Sequence, residues 1–349
     1  MLATAQPVLR RFWYPVIPIE LLQRGPQSFT LLGEPLVLWL DADGKPSAVR
    51  DRCCHRSTPL SQGIVVDGNI RCPYHGWQFN SEGSCVVVPQ APDSPIPENY
   101  RVQNFQCQEC YGYAWVCLGD SLDEILNIPE AADPGYRQIH AFYETWHCSG
   151  LRLIENVCDH GHFHFVHNQT LADRENPVSS PHNVLEKTEC GFYFESILFM
   201  HNNPHMEKNV GSSQKTIKII RKINWCIPFG LHLQEMMDGK ELVQVSITYA
   251  TPINDSSCQM VRFLFRNDTE AEAKAADIIT HEGLIFNEDR TILETIDYDV
   301  PLDLNEEVHM ATDKPGILMR HKLAALLASH GEVEQRRTAA SVMANAPLI

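Results

Sequence analysis

The sequence predicts an α+β protein in two parts: an N-terminal all-β module, then a larger domain in which helices flank an antiparallel sheet. Three observations carry this. A length of 349 residues, 44% apolar and 21% charged, gives two ordinary globular cores room to form. Residues 28 to 119 are short alternating apolar runs punctuated by turn signals, the pattern of a small β-fold. From Phe192 onward further strand-like runs lead into one amphipathic helical stretch.

In the first part, strands are expected at 29 to 31, 36 to 40, 86 to 88 and 113 to 118, with turns at Asp43-Gly44, Asp67-Gly68 and Glu82-Gly83. The acidic, Pro-bearing stretch from 120 to 135 reads as a linker. The expected domains are therefore 1–125 and 126–335, with 336–349 as a loose tail. The second domain passes through a histidine-rich helical segment at 151 to 168, then strands at 192 to 198, 216 to 220, 242 to 249 and 260 to 265. A helix from about Glu270 to Asp297 closes it, with Ile285, Ile292 and Ile296 marking a buried stripe.

Composition excludes several classes of function. Forty-four acidic against twenty-eight basic residues leave a formal charge of −16, which disfavours nucleic acid or anionic membrane as a partner. A small organic substrate is expected instead. The sequence holds no uninterrupted apolar run of about eighteen residues, and its opening lacks the charged-then-apolar order of a signal peptide. A soluble cytoplasmic protein is the expectation. Most of the twelve cysteines lie in apolar runs, as reduced core thiols do, and Cys107 and Cys110 read as strand residues rather than as a CxxC site.

Two cysteine-histidine pairs stand out. Cys53 and His55, in Cys-Cys-His-Arg, are followed by Cys72 and His75, in Cys-Pro-Tyr-His-Gly-Trp. A Rieske [2Fe–2S] centre takes two thiolates on one iron and two imidazoles on the other, which raises its potential from about −400 mV to roughly −150 to +300 mV. Two cysteines and two histidines also suit tetrahedral zinc. The single-residue spacing of the first pair and the Rieske-like continuation of both halves favour the cluster.

A second cluster packs His160, His162, His164, His167 and Asp159 into one short segment, among Phe163, Phe165 and Val166. Partly buried imidazoles at that density point to a metal. Spacing leaves the pair open, because His160 and His164 are four apart and His162 and His167 five apart. A carboxylate is needed as well, and Asp289 lies on the apolar stripe of the late helix, one turn after Ile285. Glu288 beside it is the fallback.

Asp159-x2-His162-x4-His167, with Asn156 three residues earlier, resembles the mononuclear-iron motif of the Rieske non-heme iron oxygenases, the ring-hydroxylating dioxygenase and demethylase family. Nearly the whole chain follows that family's order of domains. Asn287-Glu288-Asp289-Arg290 resembles its C-terminal ligand segment. The resemblance implies His162, His167 and Asp289 as ligands of Fe(II), with Asp159 and Asn156 as catalytic residues. It also implies a head-to-tail homotrimer, since the two centres of one chain would lie too far apart for fast electron transfer. Asp159 would then bridge His75 of one subunit and His162 of the next.

Three stretches are most similar to the monooxygenase and demethylase branch: residues 9–16, 50–57 and 89–97. The reaction so implied is hydroxylation, or N- or O-demethylation, of a small cyclic or aromatic substrate with dioxygen. Electrons would come from NAD(P)H through a separate reductase or ferredoxin, because the chain shows no dinucleotide fingerprint and no second ferredoxin-type cysteine set. Arg50, Arg52, Arg56 and Arg71 around the ligand loops could steer such a partner. Cis-dihydroxylation by a ring dioxygenase is the alternative reaction; a Rieske electron-transfer protein with a fused binding domain is the alternative class. Asn224, His232 and Gln234 are the candidate polar residues of the substrate pocket.

Overall fold

The computed structural model describes residues 1–168, 170–171, 183–188, 191–237 and 241–337. Residues 338–349 of the expected tail lie outside the described residues. Pro7–Leu126 form one compact unit; Met1–Gln6 join the chain from Asn127 onward in the other. Thr4 ties the opening segment to the second unit through backbone and hydroxyl bonds to Asp255, both 2.8 Å.

The first unit is built on ten strands and a helical turn, α1 (Ile19–Leu22). They are β1 (Tyr14–Pro18), β2 (Gln27–Leu31), β3 (Glu34–Leu40), β4 (Pro46–Arg50), β5 (Ile64–Val66), β6 (Asn69–Arg71), β7 (Gln78–Phe79), β8 (Cys85–Val87), β9 (Asn104–Cys110) and β10 (Tyr113–Cys117). Six form a sheet in the order β1-β10-β9-β4-β3-β2, and β5-β6-β7-β8 form a smaller one. All pairings are antiparallel, as short hairpin connections allow. At the β5–β6 hairpin Asp67 and Gly68 both have positive φ, 49° and 77°, which a two-residue turn of this hand requires. A side chain at Gly68 would put its Cβ 2.3 Å from the Ala42 nitrogen. Cys107 and Cys110 both lie in β9, three apart, so their side chains leave opposite faces.

Among the described residues, the second unit holds one seven-stranded antiparallel sheet. Its strands are β11 (Arg137–Trp146), β12 (Asn183–Thr188), β13 (Gly191–His201), β14 (Thr216–Cys226), β15 (Gly230–Met237), β16 (Val243–Pro252) and β17 (Cys258–Arg266), in the order β11-β17-β16-β15-β14-β13-β12. β17 is buried at every position, so both its faces are covered. β14 alternates instead, with Ile217, Ile219, Arg221, Ile223 and Trp225 buried. The helices are α2 (Gly150–Cys158), α3 (Phe163–Val166), α4 (Pro204–Val210), α5 (Ala275–Leu293) and α6 (Lys314–Ser329). α2 packs on β16 and α6, and α5 on β11 and α4.

Two helical expectations change. The segment from 151 to 168 is not one helix: Asp159 takes an extended conformation after α2, and a short α3 follows. In α5 the buried residues are Ile278, His281, Glu282, Phe286, Asp289 and Leu293, while Ile292 and Ile296 are exposed. The stripe therefore runs through polar residues, which a search for apolar periodicity passes over. Arg336 and Arg337 are held by Asp299.

Candidate metal centres

The two cysteine-histidine loops are built alike. Cys53 N–H donates to the Thr58 carbonyl at 2.9 Å and Ser57 N–H to the Cys53 carbonyl at 2.9 Å; Cys72 N–H donates to Trp77 at 2.8 Å and Gly76 N–H to Cys72 at 3.1 Å. The fourth residue after each cysteine has positive φ, 61° at Ser57 and 74° at Gly76. Each loop thus folds back on its cysteine in the same way. Glycine takes that conformation freely, whereas at Ser57 it costs roughly 1–2 kcal/mol.

Cys53 and Cys72 are buried in one apolar cluster with Trp39, Leu60, Ile70 and Phe79. The two thiols meet each other, and burial together with that proximity pushes the Cys53 thiol up to about 12. The imidazoles of His55 and His75 likewise meet edge to face, ring centroids 4.5 Å apart, with Trp77 stacked on His55 at 4.7 Å. His55 Nδ1 is buried without a hydrogen-bond partner. Thiol beside thiol and imidazole beside imidazole is the pairing a Rieske cluster needs, and a bound metal is what makes such buried thiols give up their protons.

In the second unit, His162 precedes α3, His167 follows it, and Asp289 reaches in from α5. His162 Nε2 stands 3.2 Å from His167 Nε2 and 3.3 Å from Asp289 Oδ1; His167 Nε2 stands 3.1 Å from the same oxygen. Two ligands at right angles, each about 2.1 Å from one ion, stand about 3 Å apart. Asp289 is 5% exposed, and its Oδ1 has no hydrogen-bond partner. A buried oxygen facing two ring nitrogens with their lone pairs inward fits a cation, and two imidazoles with one carboxylate suit a non-heme iron with open positions. Burial opposes a charge on His162, but Asp159 and Asp289 together hold its pKa up to about 9 in the metal-free chain.

Each imidazole has its own carboxylate behind it. Asp159 Oδ2 lies 3.0 Å from His162 Nδ1, and Asp159 also accepts the Gly161 N–H at 2.7 Å. Glu288 Oε2 lies 2.9 Å from His167 Nδ1 and accepts the Thr170 hydroxyl at 2.6 Å. Both bonds favour the proton on Nδ1, freeing Nε2 for an ion. His160 turns elsewhere: it is buried, and its Nε2 meets Arg221 Nη1 at 2.9 Å.

A cavity with an empty volume of about 670 Å³, mouth included, adjoins the triad. Met200, Met206, Met237 and Phe286 give it an apolar side; Arg221, Glu235, Gln244, Arg262, His281 and Glu282 give it a polar one. Arg221, Glu235 and Gln244 face one another across adjacent strands in one row. Asn224, His232 and Gln234, the expected pocket residues, do not line it; they occupy the alternate phase of β14 and β15 and belong to the other face of the sheet. The legible sign was a polar residue on an apolar phase, as Arg221 is among Ile217, Ile219 and Ile223. A second cavity, about 1040 Å³, also reaches His162, lined by Asn156, Asp159, Ile292, Ile296 and Val308 among others. Asn156 and His162 border both cavities.

Known proteins resemble the chain over nearly its whole length. Residues 12–106 match the Rieske [2Fe-2S] domain, and residues 146–329 the vanillate O-demethylase oxygenase C-terminal domain. Methylxanthine N1-demethylase NdmA of Pseudomonas putida is 32% identical over 341 residues, 94% of this chain and 92% of that protein. Its N3-demethylase NdmB is 29% identical over 93% and 91%. The solved structure of an NdmA mutant with theobromine superposes with a TM-score of 0.79 at 28% identity, covering 95% and 98% of the two chains. Dicamba monooxygenase bound to dicamba, at 23% identity, shares the fold with a TM-score of 0.78 over 94% and 99%.

Fold and donor sets together define an oxygenase that pairs a Rieske cluster with a mononuclear iron. The chain belongs to the Rieske non-heme iron oxygenases. Within that family it is a monooxygenase-type enzyme of the demethylase branch. No helix among the described residues is long and apolar enough to cross a membrane.

Proposed function

We propose that this chain is the oxygenase component of a cytoplasmic monooxygenase that hydroxylates, or N- or O-demethylates, a small cyclic or aromatic substrate with dioxygen. The convergence of His162 Nε2, His167 Nε2 and Asp289 Oδ1 within 3.3 Å carries the reading. These three residues would hold Fe(II), which supplies dioxygen activation when bound. Cys53, His55, Cys72 and His75 would hold the Rieske cluster. Asp159 and Glu288 keep the two imidazoles in the ligating tautomer, and the cavity wall orients the substrate and excludes water. Hydroxylation at an N- or O-methyl carbon gives a hemiaminal or hemiacetal, which collapses to release formaldehyde and the demethylated product.

Electrons would come from NAD(P)H through a separate reductase or ferredoxin. Arg52 and Arg56 are exposed beside the cluster loop and suit an acidic donor, whereas Arg50 is taken up by Glu34 at 2.6 Å. A homotrimer would let Asp159 bridge His162 to His75 of a neighbouring subunit, with Asn156 beside it. Exposed Ile292 (46%), Ile296 (39%) and Val308 (100%) around the Asp159 cavity support such a contact. The experiment that tests the reading is iron and acid-labile sulfide per chain, in the wild type and the His162→Ala/His167→Ala double variant. About three irons to two sulfides, falling to about two irons with sulfide unchanged, is expected; about two irons in both proteins would leave an electron-transfer protein.

A further inference from the structure

Among the described residues, three that line the first cavity carry a buried polar atom without a hydrogen-bond partner: Asp289 Oδ1, Arg221 Nε and His281 Nδ1. Asp289 Oδ1 faces the two imidazoles and answers to an ion there. The other two have no such account. Arg221 and His281 are 4% and 2% exposed, so neither atom is left to bulk water.

Arg221 is neutralised without being satisfied. Glu235 Oε1 lies 3.3 Å from its Nε as an ion pair, yet the N–H is not aligned on that oxygen. Its Nη1 is engaged by His160 at 2.9 Å. Arg262 on the same wall is different: Nε donates to Glu282 at 2.7 Å, Nη1 to Thr248 at 2.7 Å and Nη2 to Ser246 at 3.1 Å. That pair closes the wall. His281 lies two turns before Asp289 on the same face of α5, about 12 Å along the axis. Burial lowers its pKa, with Glu282 opposing and His205 and Arg266 adding to the effect, which favours the uncharged imidazole.

We propose that Arg221 and His281 are specificity residues that hold the polar edge of a planar, uncharged substrate bearing a carbonyl or ring-nitrogen acceptor, while its oxidised carbon faces the His162–His167–Asp289 triad. A carboxylate substrate would find the Arg221 charge already answered by Glu235. Met200, Met206, Met237 and Phe286 pack the faces of the ring. The inference deepens the oxygenase reading and takes from it only the position of the reacting carbon.

Binding tests this apart from turnover, by titration calorimetry on the iron-loaded chain without reductase. The probes are theobromine, a heterocycle with carbonyls, and anisole, a methyl ether with neither carbonyl nor ring nitrogen. Theobromine is expected to bind at least about tenfold more tightly. His281→Ala should lose about tenfold in theobromine affinity, keep anisole within about twofold and keep its iron, while His281→Gln recovers most of the loss. If His281→Ala does not fold, His281→Phe, which fills the space without a polar atom, gives the same comparison. Equal binding of the two probes, including none of either, or an equal loss of both in the variant, overturns the proposal. Theobromine binding without iron at the triad would sink the oxygenase reading and leave this recognition standing.

Discussion

Glu288 holds the Nδ1 of His167 at 2.9 Å, on the far side of the imidazole whose Nε2 stands 3.1 Å from Asp289. Adjacent carboxylates of one helix thus address opposite nitrogens of one ring. The carboxylate that aligns a ligating imidazole typically accounts for 10–100-fold in metal affinity. Glu288→Gln should weaken iron binding at the triad by about that factor and leave acid-labile sulfide unchanged. Chelator competition measures it, and unaltered iron retention would mean that Glu288 serves only to anchor Thr170.

Asp159 bonds His162 Nδ1 and lines the second cavity with it. Asp159→Asn should leave the cluster in place, because none of its contacts touches a cluster ligand, and should weaken iron at the triad as Glu288→Gln does, because Asp159 bonds His162 Nδ1 at 3.0 Å; iron in excess should fill both sites. Reductase-coupled turnover should fall by orders of magnitude, with substrate-triggered reoxidation of the reduced cluster slowed in parallel. Full turnover in this variant would remove the bridge from the mechanism.

The metal-free chain should be pH-sensitive in a particular window. His162 has a pKa raised to about 9 from an ordinary value of 6.5. A raised folded-state pKa contributes stability that is complete below the unfolded value and is lost as pH climbs through the folded one. The Tm of the iron-free protein should therefore fall between pH 6.5 and 9 through this group, and His162→Ala should flatten that slope. Iron loading should abolish it, since the ion replaces the proton.

Ser57 and Gly76 occupy equivalent places in the two cluster loops, with φ of 61° and 74°. Ser57→Gly should raise stability by about 0.5–1 kcal/mol, less what is lost with the hydrogen bond that Arg52 Nε donates to the Ser57 hydroxyl at 3.0 Å. Gly76→Ala should lower it, since the new Cβ is strained and meets Pro89 Cγ at 3.3 Å. Thermal melts of the cluster-loaded protein decide the point; equal effects would mean the loops are not equivalent.

Arg52 and Arg56 are exposed on the first cluster loop. The rate of reduction by an acidic donor should drop steeply with added salt, and Arg52→Ala/Arg56→Ala should flatten that dependence. Stopped-flow reduction measures it. A rate indifferent to salt would place the donor elsewhere.

Much of this molecule was legible in its chain order. The pairs Cys53–His55 and Cys72–His75 stand out in the sequence because cluster chemistry would restrict both residue type and local spacing, and each loop closes through its own backbone. The turn at Asp67-Gly68 is equally local, since left-handed backbone favours few residues. Asp289 stood out beside Ile285 and in the Asn287–Arg290 segment that resembles the family's ligand segment, although Ile292 and Ile296 of the expected stripe are exposed.

What lies at a distance was decided only in three dimensions. A strand shows which residues share a face but not which face meets the cavity, so Asn224 and Arg221 could not be ranked until β14 was covered on one side. Ile292 and Ile296 follow helical periodicity yet stay exposed, while Glu282 is buried because Gln244 and Arg262 of the sheet bond its carboxylate. The separate tasks of Asp289 and Glu288 depend on where His167 comes to rest, some 120 residues away in sequence. Local chemistry was therefore set by the sequence itself, whereas partner choice among buried polar groups was set by packing, because a hydrogen bond or an ion pair exists only once both ends are in place.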